Sequence, residues 1–380
     1  MSVGTSAASS ARVRSAVALG AALAAFGSVV SGAAADSPAS ASAPCGTNFD
    51  PYSYTASALN SCGLSTSVSA VTSALPGGGS ETAYTLPGGQ GVTTLYSPPA
   101  GFDPATASSA QLEEYGFAVP STSDGLLALE SWQGAMSQLT KSAPNPPFLA
   151  VGGASAGGEL PGAGAYPGTS GNWSGYQANT GGFAFSYASW KEPTYGGSRC
   201  SSNSAVVWDG IGGANGDPYL GQDGTAHGQG NDQPGGANHQ MWEEVLPQQK
   251  SLVPLPVIGA AGHEMYANTS WYASKHEYTG TVGDITSNSY KNWSHAGNWS
   301  SSDTAEAIVE RPSYNNQLRD LSNFQTMSFT TSGGNSTPMN DFSKAQRTGL
   351  EMVDGAGNDM ANVGGVGSNG SFSDTQHSCS

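Results

Sequence analysis

The run Asp303-Thr304-Ala305-Glu306-Ala307-Ile308-Val309-Glu310 brackets a short apolar stretch with acids, in a chain that is only 11% charged. Strand alternation puts Glu306, Ile308 and Glu310 on one face and Ala305, Ala307 and Val309 on the other. A carboxylate on a buried strand is costly unless it is paired or used. This stretch is therefore a candidate source of a general acid/base.

Four further segments carry groups that could serve such an acid. Asn172-Trp173-Ser174-Gly175-Tyr176 opens a strand-rich region, and Val206-Val207-Trp208-Asp209-Gly210-Ile211-Gly212-Gly213 reads as a strand running into a glycine turn. Leu220-Gly221-Gln222-Asp223-Gly224-Thr225 follows, read as a turn. In Met241-Trp242-Glu243-Glu244-Val245-Leu246-Pro247, alternation sets Trp242, Glu244 and Leu246 on one face.

Taken in this order, the five segments resemble the glutamic peptidases, the eqolisin family of acid endopeptidases, over about Asn172 to Phe329. The resemblance implies an all-β fold, a lectin-like (concanavalin A-like) antiparallel sandwich with a Gln/Glu dyad on its concave face. It places the catalytic glutamine at Gln222 and the catalytic glutamate at Glu310, with Glu244 near them. Trp173, Trp208 and Trp242, with Glu244, are the candidate substrate-binding residues. No metal and no cofactor is implied, and the substrates are proteins or peptides. The chain departs from the family pattern at Gly212, Gly221, Glu243 and Ala307, and in the polar segment His227 to Asn238. Gly212 and Glu243 are expected to alter the acidity near the dyad.

The chemistry this implies needs an attacking water and support for an oxyanion. A glutamate of ordinary acidity, about 4.3, is a competent base in mild acid. A glutamine amide can donate to the oxyanion from its NH2 and hold the water with its carbonyl.

Other readings compete. Glu244 with Glu310 could form a glycosidase pair, whereas Glu306 and Glu310 lie about 13 Å apart on an extended strand, too far for one. Trp173, Trp208 and Trp242 could line a non-catalytic glycan-binding module on the same sandwich. Gly153-Ala154-Ser155-Ala156-Gly157 matches a serine-hydrolase elbow, but Gly158-Glu159-Leu160-Pro161-Gly162 follows where that elbow needs a helix. The six histidines have no metal-site spacing.

The elements that would position these groups divide the 380 residues unevenly. Residues 1–35 read as an export signal. Arg12 and Arg14 precede an apolar stretch ending at Ala33-Ala34-Ala35. The mature chain is then expected to be secreted, a monomer, and free of the membrane. Residues 36–168 are rich in Ser, Ala, Pro and Gly, with helices expected over about 110–115 and 126–139 and a Gly-rich connector at 152–171. That layout suits a propeptide, as the resemblance also implies, or an accessory domain. Residues 169–380 show short alternating segments between Gly, Asn, Asp and Ser, the pattern of an antiparallel sandwich.

With 28 Asp plus Glu against 12 Lys plus Arg, the chain has no basic stripe for nucleic acid, and so few cations suit work at low pH. Four cysteines in an exported chain favour disulfides. Cys45–Cys62 and Cys200–Cys379 keep each pair within one domain.

Overall fold

Alternation of apolar and polar residues builds two stacked antiparallel sheets. The structure is a computed structural model. It describes residues 68–380, apart from 121–125, 153–155, 158–159, 163, 165–167, 197–202, 229–237, 301–302 and 315–316, together with residues 52, 59, 64 and 65. The expected export signal, Ser155, and the cysteines Cys45, Cys62 and Cys200 lie outside the described residues, and with them both expected disulfide pairings.

The N-terminal strands are β1 (Ser69–Ala74), β2 (Ser80–Thr85) and β3 (Val92–Ser97). Helices α1 (Ser109–Glu114) and α2 (Leu126–Met136) follow. Then come β4 (Trp173–Ala178), β5 (Phe185–Lys191), β6 (Asn203–Gly212), β7 (Leu220–Gly228), β8 (Gln240–Leu246) and β9 (Val253–Ile258). The remainder holds β10 (Glu264–Tyr272), β11 (Glu277–Asp284), β12 (Ser289–Ala296), β13 (Ala305–Glu310), β14 (Thr326–Gly334), β15 (Arg347–Val353), β16 (Asp359–Val363) and β17 (Phe372–Gln376).

The front sheet runs β9-β8-β7-β6-β13-β4-β15. The back sheet runs β1-β2-β3-β12-β11-β10-β5-β14-β17-β16-β15, so β15 joins both. Ala205, Val207, Ile211, Met241, Val245, Ala305, Ala307 and Val309 face inward and pack with Trp190, Val282 and Trp293 of the back sheet. The even-numbered residues of β6, β7, β8 and β13 therefore face the other way.

Three observations go beyond, or correct, the sequence reading. Leu220 to Thr225 is part of a nine-residue strand, not a turn. Its glycines serve close packing: a Cβ on Gly224 would stand 1.9 Å from the Val207 carbonyl oxygen, and one on Gly221 2.3 Å from the Tyr278 ring. Secondly, residues 69–97 form three strands that no periodicity announced, and β3 pairs with β12, His295 facing Thr93. Thirdly, α1 and α2 form where expected, with Ser108 and Gln111 closing a capping box on α1. Leu112, Phe117, Trp132 and Met136 cover Phe185, Tyr187, Tyr266 and Tyr290 on the outer face of the back sheet.

Between the sheets lies a polar inclusion. Asp209 and Asp223 face each other across one rung of β6 and β7, both fully buried. Ser186 Oγ donates to Asp209 Oδ2 at 2.5 Å, and Trp293 Nε1 donates to Asp223 Oδ2 at 2.7 Å. Burial pushes both carboxyls up, and their mutual repulsion pushes Asp223 further. Side by side, the two carboxyls are both held toward their protonated forms.

Candidate active site

The antiparallel register gathers the expected site on the outward face of the front sheet. One row across the strands reads Glu244, Gln222, Gly210, Glu306, Gln177. The next reads Trp242, Gly224, Trp208, Ile308, Gly175, and the third Gln240, Ala226, Val206, Glu310, Trp173. Gln222 and Glu310 thus share a face but stand two rows apart, about 13 Å along β6 at about 3.3 Å per residue.

Trp208 bridges that separation. Its Nε1 donates to Glu310 Oε2 at 2.8 Å. The opposite edge of the indole overhangs Gly210, where a Cβ would stand 3.0 Å from Trp208 Cζ3 and 3.2 Å from Gln222 Cβ. Glycine at 210 therefore leaves room for the Trp208 ring over β6, next to the row that carries Gln222. Trp173 packs edge-on against Trp208, ring centroids 4.8 Å apart. Gln222 Nε2 donates to Glu244 Oε2 at 3.0 Å, which fixes the amide so that its carbonyl points elsewhere. Trp173, Trp208 and Trp242 are buried in one apolar cluster with Val206, Leu220 and Ile308. Gln222, Glu244 and Glu310 are buried as well.

Of the remaining acids of the opening motif, Asp303 lies beyond this face and Glu306 lies in the Gln222 row, across Gly210. Asp303 Oδ1 accepts from the backbone N–H groups of Gly182 and Phe183, and burial pushes its carboxyl up to about 7. Glu306 is fully buried, and desolvation holds it well above the ordinary carboxylate range.

Glu243 corrects a further expectation, because alternation turns it to the inner face, away from Gln222. Its Oε1 accepts from Thr93 Oγ1 at 2.7 Å and from Gln249 Nε2 at 2.8 Å. The Thr93 hydroxyl also lies 3.0 Å from His295 Nδ1. Burial pushes Glu243 up to about 7 and His295 down to about 4. This cluster had no signal in the sequence, since Thr93 and Glu243 are 150 positions apart.

Among the described residues no group of three or more His, Cys, Asp or Glu could hold a metal ion. No helix among them is long and apolar enough to cross a membrane.

Residues 171–369 match the family model described as the peptidase A4 family. The chain belongs to the peptidase A4 family, the glutamic peptidases. Among solved structures, this A4 peptidase is similar to scytalido-glutamic peptidase with a transition state analog inhibitor, at 17% identity over 55% of this chain and 98% of that one, with a TM-score of 0.43. It is also similar to SCP-B, a member of the eqolisin family solved in a complex with the tripeptide Ala-Ile-His, at 17% identity, 55% and 98% coverage and a TM-score of 0.41. The comparison with curated proteins found no match. As an A4 peptidase the chain is a hydrolase acting on peptide bonds.

Proposed function

We propose that this peptidase is a secreted, monomeric acid endopeptidase, made as a zymogen, that works with Glu310 as general base and Gln222 as electrophilic partner. The observation that carries the reading is the common outward face of Gln222 and Glu310 on the two strands that flank β6, where Glu310 accepts from Trp208 Nε1 and Gln222 donates to Glu244.

Glu310 takes a proton from a water as the water oxygen bonds to the scissile carbonyl carbon. The Gln222 amide, one N–H committed to Glu244, has a second to offer the oxyanion. On collapse the C–N bond breaks and Glu310 returns its proton to the leaving amine. Trp208 keeps the Glu310 carboxylate in place through a charge-assisted hydrogen bond. The engagement of Glu244 with Gln222 suits a positioning group better than one member of a glycosidase pair.

Export follows from Arg12, Arg14 and the apolar stretch behind them, and acid operation from the scarcity of cations. In the zymogen reading residues 36–168 are the propeptide, which leaves when acid promotes a cut in the 152–171 connector. The test is Glu310→Gln in the full chain, acidified to pH 3–5 and offered casein. Loss of casein hydrolysis and of self-cleavage, with an unchanged near-UV spectrum, is the expected result. Retained hydrolysis would refute the role.

A further inference from the structure

The connector does not run clear of the dyad face. Ala156–Gly157 pairs antiparallel with Ser313–Tyr314, which begins three residues beyond Glu310. A little further on, the Leu160 carbonyl accepts from Asn172 Nδ2 at 3.3 Å, and the Gly162 N–H donates to Asn172 Oδ1 at 2.5 Å. Asn172 immediately precedes Trp173, the partner of Glu310 across the β4–β13 ladder. Ser170 Oγ secures the same turn by donating to the Gly162 carbonyl at 3.3 Å and lying 3.0 Å from Asn172 Oδ1.

The Leu160 side chain leaves this anchor and reaches the other end of the site. A Cβ on Gly213 would stand 3.2 Å from Leu160 Cδ2 and 3.1 Å from Leu220 Cδ2, so the bare Gly213 backbone and the Leu220 side chain form the surface that Leu160 meets. Gly213 has φ +83°, a conformation that favours glycine, and it carries the chain out of β6 just past the Gly212–Leu220 rung. Leu220 sits two residues before Gln222 on the same face, in the apolar cluster with Trp208 and Trp242. Main chain tied at the Glu310 end and a side chain, 36% exposed, laid against Gly213 and Leu220 is the lie of a bound peptide.

We infer that Leu160-Pro161-Gly162 occupies the substrate path of the uncut chain, and that Gly213 with Leu220 forms a subsite for an aliphatic substrate side chain. The inference rests on the peptidase reading for the word substrate, but not for the occupancy. A Cβ-free floor beside a leucine offers apolar surface, so it favours leucine- or isoleucine-sized groups over charged ones. Asn172 supplies what such a floor lacks: one donor and one acceptor for the peptide main chain flanking the aliphatic residue.

The experiment uses the full chain with Leu160→Asp and, as the conservative control, Leu160→Ile. Amide hydrogen exchange at neutral pH, before any cleavage, is followed in the peptides covering residues 210–222 and 308–318. The expected result is exchange at least tenfold faster with aspartate at 160 and unchanged with isoleucine. The acid-processed wild-type protein is then offered a mixed peptide library. Leucine or isoleucine should be enriched at one fixed distance from the cut bond. Exchange indifferent to the aspartate overturns the occupancy, and cleavage without an aliphatic preference overturns the subsite. Exchange that responds while the processed protein cuts no peptide upholds the occupancy and overturns the peptidase reading instead.

Discussion

Replacing Glu243 by glutamine should expose a pH slope that the native chain hides. Glu243 is fully buried, and its pKa rises from 4.5 to about 7 on folding because desolvation outweighs the Thr93 and Gln249 hydrogen bonds. A raised acid leaves stability intact below pH 4.5 and removes it as pH climbs toward 7, because the unfolded chain ionises first. Over that window the loss is about 3 kcal/mol, at about 1.4 kcal/mol per pH unit. His295 acts in the opposite sense. Folding lowers its pKa from 6.5 to about 4, so its contribution is whole above pH 6.5 and falls by about 3 kcal/mol on acidification to pH 4. The two nearly cancel between pH 4.5 and 6.5. Glu243→Gln keeps the shape and cannot ionise, so its stability should rise by about 3 kcal/mol from pH 4 to 6.5 relative to the native chain. His295→Asn should fall by a similar amount from pH 4.5 to 7. Urea unfolding followed by tryptophan fluorescence at pH 4, 5, 6 and 7 measures both. Parallel curves for the native chain and Glu243→Gln would refute the reasoning, and would mean that Glu243 and His295 form an ion pair rather than two neutral groups.

Trp208→Phe removes the N–H that holds Glu310. A hydrogen bond to a charged group is worth about 1.5–3 kcal/mol, so kcat on a peptide substrate should fall about 10- to 100-fold while the thermal midpoint moves little; an unchanged kcat would remove Trp208 from the mechanism. Asp209→Asn replaces one member of the buried carboxyl pair by a group that cannot ionise. Because both members are raised on folding, the native chain should lose stability as pH rises from the ordinary carboxylate range through neutral, and the variant should lose less; equal slopes over that range in a pH titration of unfolding would contradict the raised pair. Gly210→Ala puts a methyl 3.0 Å from the Trp208 ring. It should cost about 1–3 kcal/mol of stability and lower activity more than Gly355→Ala, at a position with open space around it; comparable effects at the two positions would show that the Trp208 seat does not matter.

The candidate site was legible to differing degrees for physical reasons. Period-two alternation is local, so the common face of Glu306, Ile308 and Glu310, and that of Trp242 and Glu244, could be read directly and reappear in the ladder register. Glycine defeated the same reading at β7. Gly221 and Gly224 look like turn residues, yet they are glycine because the Tyr278 ring and the Val207 carbonyl come too close for any side chain. The N-terminal strands were invisible for a related reason. Ser69–Ala74 is exposed along its whole length and has no apolar face to betray it.

The sequence by itself determined the family, the alternating strands and the identity of Gln222, Glu310 and Glu244, because motif order and strand period are written in neighbouring residues. Only the tertiary structure decided what each group meets. Strand register brought Trp208 to Glu310, set Asp209 against Asp223, and turned Glu243 inward to Thr93 and His295. It also carried Leu160 to Gly213. Such contacts join positions tens to hundreds of residues apart, and they exist only after two sheets have chosen their partners and their register, a choice fixed by the packing of the whole core.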